Sequence, residues 1–341
     1  LIDLGYDTTL DDYVLTANIS GVTSLDVSSK EISDLTGIEA FTALTWLECS
    51  DNQLTSLDVS ANTALTNLHF SQNQLTSLDL SNNTALTGLA CYGNQLTSLD
   101  LSNNTALTGL YSNTNQLTNL DLSNNTALTN LHIGSNQLTN LDISKNTALT
   151  ELFCAYNQLT SLDVSNNTSL IQLSVWQNQL TSLDVSKNVA LEWLTADNNK
   201  LTSLDVTNNI HITNLGCYDN QLTSLDLSQN TKLKVLYASE NQLTSLNMRN
   251  GVKDALTTFV VHTNPSLTCI EVLDPAWATA NWVSASGGNI EMDAGVTFTY
   301  ICGVDIDGVS TYNNNGIKAI TFNVELPTHS LPDTNISLAF W

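Results

Sequence analysis

The sequence predicts a β-rich solenoid of stacked 21-residue coils. Three observations carry that prediction: an unbroken internal period, a two-residue alternation of apolar side chains within it, and an asparagine that closes each half. The period is read from the Asp of a recurring LD pair. It stands at Asp58, Asp79, Asp100, Asp121, Asp142, Asp163, Asp184, Asp205 and Asp226, every step being 21 residues. Asn247 continues the series in a degraded copy. Self-similarity at a fixed period marks a repeat architecture, and it overrides the prior of two domains that 341 residues would suggest.

Each unit divides again. Residues 65–85 read LTNLHFSQNQ followed by LTSLDLSNNTA, and both halves follow L-x-x-L-x-φ-x-x-N with φ apolar. Alternation around the second Leu is the signature of a short strand. Positions 4 and 6 then point inward, and positions 3 and 5 outward. Six apolar side chains per coil are expected inside; in this unit they are Leu65, Leu68, Phe70, Leu75, Leu78 and Leu80. The Asn at position 9 is expected to bend the chain and bond the backbone of neighbouring turns. In the first half-repeat it recurs at Asn52, Asn73, Asn94, Asn115, Asn136, Asn157, Asn178, Asn199, Asn220 and Asn241. Each coil is expected to hold two short strands and two tight turns. At about 4.8 Å per parallel strand, about a dozen coils make a rod or shallow arc roughly 50–60 Å long.

The pattern LxxLxxxxNxLxxLDLxxNxx resembles the leucine-rich repeat, in the 21-residue nested variety called IRREKO. Residues 22–43, VTSLDVSSKEISDLTGIEAFTA, resemble a 22-residue leucine-rich repeat of the common bacterial type, with Lys30 where that pattern has Asn. Up to about Cys302 the chain resembles secreted or surface leucine-rich-repeat proteins of Bacteroidetes bacteria. These share the opening LIDLGYDTTLDDYVLTANISGVTSLDVS and the closing CIEV and AGVTFTYIC. The resemblance implies a capped solenoid exported to the cell surface or beyond. It leaves function to individual side chains, because one fold hosts many functions.

Four segments follow. Residues 1–21 read as an N-terminal cap, in which Leu1, Ile2 and Leu4 are expected to finish a helix. The opening at Leu1, without Met or signal peptide, reads as a mature or trimmed segment. Residues 22–255 are the repeats: one of 22 residues at 22–43, then ten of 21 residues from 44. Residues 256–302 are a last coil and C-terminal cap, with Trp277 and Trp282 expected to cover the final Leu layer. Residues 303–341, with strand-like KAITFNV and ISLAF, read as a β-like tail or the start of a following domain.

Composition removes several functions. With 33 acidic and 9 basic residues the net charge is −24, which argues against nucleic acid and against an anionic membrane surface. Charged residues are only 12%, so Ser, Thr, Asn and Gln must supply much of the polar surface. No apolar run approaches the roughly 20 residues of a membrane span.

Cys49, Cys91, Cys154 and Cys217 occupy inward position 6, two or three coils apart. That is roughly 10–15 Å at strand spacing, beyond the roughly 7 Å Cα limit for a disulfide and too far to share a metal. They are expected to be buried thiols. Cys269 and Cys302 flank the C-terminal cap and are expected to pair in an exported protein; two reduced cap cysteines are the alternative.

The copies can be compared with one another. The second half-repeat barely changes, whereas the first varies at its outward positions. A fixed scaffold with a variable face suggests recognition, and large outward aromatics are costly unless used. The candidate ligand-binding residues are Trp46, His69, Tyr111, His132, Phe153, Tyr156, Trp176, Trp193 and Tyr237. Phe153, Tyr156, Trp176 and Trp193 fall on three successive coils and are expected to form one patch. Rigid aromatic planes suit protein hot spots and sugar rings alike. The alternative is that they merely stabilise neighbouring strands.

The Asp column places like charges about 4.8 Å apart. Hydrogen bonds from flanking Ser, Thr and turn N–H groups would compensate it, or else Ca²⁺. No D-x-D-x-D-G or GGxGxD loop is present, which favours the hydrogen bonds and predicts that salt raises stability. Adjacent Asp spacing resembles a glycosidase carboxylate pair, but it repeats everywhere and marks no cleft. His69 and His132 lie three coils apart, about 14 Å, too far to share a metal. No GxSxG, HExxH, P-loop or GxGxxG arrangement occurs. A Thr column from Thr55 to Thr244 offers one Thr per strand beside a charged Asp, which does not suit ice binding. The chain therefore reads as an exported, acidic, non-enzymatic module without cofactor or metal. It would bind an extracellular protein partner, in adhesion or another surface interaction. The alternatives are a carbohydrate-binding module for polysaccharide and a passive surface spacer.

Overall fold

The computed structural model describes residues 5–6, 13–282 and 288–302, together with the backbone of residues 305–306 and 324–325. Strands are numbered along the chain. One parallel sheet runs through the stacked coils, from Ser24 to Glu291. It comprises β1 (Ser24–Asp26), β2 (Trp46–Glu48), β3 (Asn67–His69), β4 (Gly88–Ala90), β5 (Gly109–Tyr111), β6 (Asn130–His132), β7 (Glu151–Phe153), β8 (Gln172–Ser174), β9 (Trp193–Thr195), β10 (Asn214–Gly216), β12 (Val235–Tyr237), β14 (Thr258–Val260) and β16 (Ile290–Glu291), in that order. From β2 to β12 each residue pairs with the one 21 positions on, as Asn67 does with Gly88. The 22-residue repeat enters the same sheet through β1, with Ser24 opposite Trp46.

The core follows from the alternation. Leu65, Leu68, Phe70, Leu75 and Leu80 are fully buried, and only Leu78 of the six expected residues remains half-exposed. No single coil could bury these side chains alone, so stability comes from stacking. Cys49, Cys91, Cys154 and Cys217 are buried among them as free thiols. Burial pushes the first three up to about 12, which leaves them inert as nucleophiles.

Asparagine ties coil to coil. Asn73 Nδ2 donates to Cys49 O of the preceding coil (3.0 Å) and to Phe70 O of its own (3.0 Å). Its Oδ1 accepts the Leu54 N–H (2.9 Å). The same bonds recur at Asn94, Asn136, Asn157, Asn178 and onward. A second column stands in the other half-repeat, where fully buried Asn83 donates to Val59 O (2.9 Å) and Asn62 O (3.0 Å). The residue before each first-half Asn is left-handed: φ is 53° at Gln72 and 53° at Tyr156, and 68° at Gly93, where the absent Cβ removes the cost.

The structure differs from the expectation of two strands per coil. Among the described residues second-half strands occur only near the C-terminal end of the repeats, as β11 (Ser224–Asp226), β13 (Ser245–Met248), β15 (Cys269–Val272) and β17 (Thr297–Thr299). In the other described coils the second half forms no paired strand. With or without a second strand the Asp takes a backbone donor: Asp79 Oδ1 accepts the Ser81 N–H (2.8 Å) and Asp226 Oδ1 the Ser228 N–H (2.9 Å).

The ends are closed differently. At the N-terminal end a short helix, α1 (Thr16–Ile19), buries Ile19. At the other end α2 (Pro275–Asn281) is capped by Asp274, which accepts the Trp277 N–H (3.1 Å). Trp282 is buried, with its ring centroid 5.1 Å from Phe259 and 5.6 Å from Phe298. Cys269 and Cys302 form a disulfide, their Cα atoms 5.9 Å apart. The helix end expected at Leu1, Ile2 and Leu4 lies outside the described residues, as does most of 303–341. There the structure describes only an antiparallel pair, β18 (Asp305–Ile306) with β19 (Val324–Glu325).

Asn157→Ala removes an amide whose Nδ2 serves Ile133 O and Cys154 O and whose Oδ1 serves the Leu138 N–H. Urea unfolding is expected to show a loss of about 2–4 kcal/mol, the cost of orphaned buried groups. Asn166→Ala, at an exposed neighbour, is expected to change stability by less than about 0.5 kcal/mol.

Candidate binding face

The outward side chains of the long sheet form one face, because parallel pairing in register stacks equivalent positions. At its N-terminal end Trp46 meets His69 edge-on at 6.1 Å, and His69 Nδ1 lies 3.0 Å from Glu48 Oε2. In the middle, on β5, β6 and β7, Tyr111 meets His132 edge-on and His132 lies tilted on Phe153, with centroids 4.8 and 4.4 Å apart. His132 Nε2 lies 3.3 Å from Glu151 Oε2, which also accepts from Asn130 Nδ2 (2.7 Å).

The expected single patch is divided. Phe153 packs on His132, whereas Tyr156 packs on Trp176 at 4.3 Å. Trp176 and Trp193 in turn line an open cavity of about 320 Å³, together with Tyr237 and the side chains of Thr195, Asn214, Tyr218 and Val235. Trp193 is 48% exposed and Tyr237 44%, so their rings stand at the rim.

Asp197 also lines this cavity, although it is only 8% exposed. Its Oδ1 accepts the Tyr218 N–H (2.9 Å). Burial outweighs that bond and pushes its carboxyl up to about 6. Gly216, one coil on, leaves the carboxylate its place: a Cβ there would stand 2.5 Å from Asp197 Oδ2. Sequence comparison singles out neither Asp197 nor Gly216 as a site residue. The available signal is a carboxylate at position 7 opposite a Gly at position 5 of the next coil, which strand alternation alone does not join.

The Asp column is structurally occupied. Asp58, Asp100, Asp121, Asp142, Asp163 and Asp184 each accept the N–H of the Ser two residues on at 2.9 Å. From Asp58 to Asp205 hydrogen bonds from the Ser or Thr two residues on hold the carboxyls below the usual range, and at Asp79, Asp100, Asp121, Asp163 and Asp205 they do so against the charge of a neighbouring Asp. Among the described residues, no three His, Cys, Asp or Glu side chains gather as metal ligands would.

Parallel coils tied by inward Leu and Asn columns define a leucine-rich-repeat protein. The functional domain of InlJ from Listeria monocytogenes, described as including a cysteine ladder, matches with a TM-score of 0.70 at 37% identity. The match covers 77% of this chain and 62% of that one. The internalin InlF of L. monocytogenes shares the fold, with a TM-score of 0.61 at 22% identity over 80% of this chain and 88% of that one. Internalin J of L. monocytogenes serotype 4b is 43% identical over 51 residues, or 15% of this chain and 6% of that protein. The chain is thus related in sequence to InlJ, and it spans less than two thirds of both InlJ relatives. No protein-family description matches it. In this chain the inward cysteines are interrupted by Phe70, Ser112, Ile133, Val175 and Ala196.

Two pH windows of opposite sign follow from the carboxylates. The Asp column, held below 3.8, adds stability that is present above about pH 4 and lost as pH falls further. Asp197, raised to about 6, acts in reverse, because the folded state keeps its proton longer than the unfolded chain. Its contribution therefore declines as pH rises from about 4 to 6. Asp197→Asn is expected to flatten that window and to raise stability at pH 7 by up to about 3 kcal/mol in urea unfolding. An unchanged pH profile would refute the burial of this carboxylate.

Proposed function

We propose that the chain is a non-enzymatic recognition module that binds an extracellular protein through the face of its long sheet. The observation that carries this reading is the row of half-buried and exposed rings, from Tyr111 through Phe153, Tyr156 and Trp176 to Trp193 and Tyr237, on a scaffold whose other positions repeat. Rings held by neighbours lose little freedom on binding, and aromatic anchors dominate protein interfaces. Solenoids of this class use such extended faces for binding.

Adhesion, and secretion or surface display, are part of the same proposal. Among the described residues no helix is long and apolar enough to cross a membrane. A Bacteroidetes source, the IRREKO-type nesting of the repeat, and the division into caps, repeats and a following β-like segment also belong to it.

The test is surface plasmon resonance of the purified chain against a panel of purified extracellular ectodomains, with a polysaccharide array beside it. A protein ligand is expected to lose at least about tenfold in affinity on Tyr111→Ala/Phe153→Ala/Trp176→Ala, as truncated aromatic anchors do. Saturable binding to a polysaccharide, abolished by the same variant and without any protein ligand, would replace this reading by carbohydrate capture. An absence of any saturable ligand from folded protein would leave a passive spacer.

A further inference from the structure

The geometry points to the cavity over β8, β9, β10 and β12 as an insertion site for one cationic side chain, the Lys or Arg of a basic segment on a protein partner. This inference rests on the reading of the sheet as a binding face and gives that face an anchor point.

The cavity joins two chemistries. Its rim carries the rings of Trp176, Trp193, Tyr218 and Tyr237, and Asp197 also lines it, almost wholly removed from water. A ring face attracts a cation, the indole most strongly. A carboxylate withdrawn from water is costly until something pairs with it. Among the described residues no Lys, Arg or His forms an ion pair with Asp197. The chain has 9 basic residues against 33 acidic ones, so cations must come from outside, and its net charge of −24 draws them in.

The residue is also held in place. Its backbone carbonyl accepts the Gln177 N–H (3.0 Å) and Asn199 Nδ2 (3.0 Å), and its carboxylate Oδ1 accepts the Tyr218 N–H (2.9 Å). The absent Cβ of Gly216 lets the carboxylate lie directly over that glycine, in the wall of the cavity. An ammonium or guanidinium could meet the carboxylate while its alkyl stem lies between rings, as such stems lie along apolar surface elsewhere. A neutral sugar would stack on the rings but leave the charge unpaired. A hard metal ion would find one carboxylate and aromatic walls where it needs six or more oxygens.

The experiment is a fluorescence and calorimetric titration of the whole chain at about 0.15 M salt, where long-range attraction is screened. The probes are a short Gly-Ser peptide with a central Lys, its Arg and Gln counterparts, and a neutral glucan hexasaccharide. Asp197→Asn is compared with Asp163→Asn, which removes the same charge from the Asp column. Saturable binding of the Lys or Arg peptide is expected, with quenching of tryptophan emission and none for the Gln peptide. Asp197→Asn is expected to weaken it at least about tenfold, and Asp163→Asn less than about twofold. Because Asp197→Asn is expected to stabilise the fold, a loss of binding cannot be put down to unfolding. Equal losses in both variants would overturn the inference in favour of diffuse charge attraction. Binding of the glucan with the Asp197 dependence would overturn it in favour of a sugar site. Failure of every peptide, while an ectodomain still binds and Tyr111→Ala/Phe153→Ala abolishes that binding, would sink the pocket alone and leave the binding face standing.

Discussion

The buried asparagine amide is the interaction on which this architecture depends. A coil of 21 residues has two tight turns, and each turn leaves backbone groups inside the stack that no strand partner can reach. A single Asn73 amide serves three carbonyls and one N–H, drawn from its own coil and the preceding one. Substituting Leu would add apolar area yet strand those groups. The left-handed residue before each first-half Asn is the local cost of presenting the amide inward, and the pinned turn keeps it populated.

Because the amides fix the register, side chains at positions 3 and 5 of the first half can vary without disturbing the stack. The face is therefore written one coil at a time. Tyr111, His132 and Phe153 contact one another only because three coils carry rings at the same position. The cavity arises differently. It needs Asp at position 7 of one coil and Gly at position 5 of the next, so that the carboxylate lies over the glycine in a cavity that Trp176, Trp193, Tyr218 and Tyr237 also line.

Much of this was legible in the sequence. The period, the inward Leu set, the Asn columns, the four separated thiols and the paired cap cysteines all depend on spacing along the chain, which sequence shows directly. Among the described residues a second paired strand forms only toward the C-terminal end; Asp226 of β11 accepts the Ser228 N–H just as Asp79 accepts that of Ser81, so that local bond does not decide where the strand forms. The division of the aromatic patch was also hidden. Alternation says that Phe153 and Trp176 point outward, but not that Phe153 leans on His132 and Trp176 on Tyr156. Asp197 escaped for a related reason: its burial depends on a missing side chain one coil away, and composition at its own position gives no hint of it.

The unvarying step of the register has a consequence for how such a molecule can change. A tandem duplication or deletion of one whole unit reconnects Leu to Leu and Asn to Asn, as Asn67 already meets Gly88 and Gly88 meets Gly109. The chain can lengthen or shorten like a ruler, with no new core to invent and the end caps untouched. Ring clusters would then be carried along the molecule as cassettes, and the distance between two of them could be reset in increments of a single strand spacing.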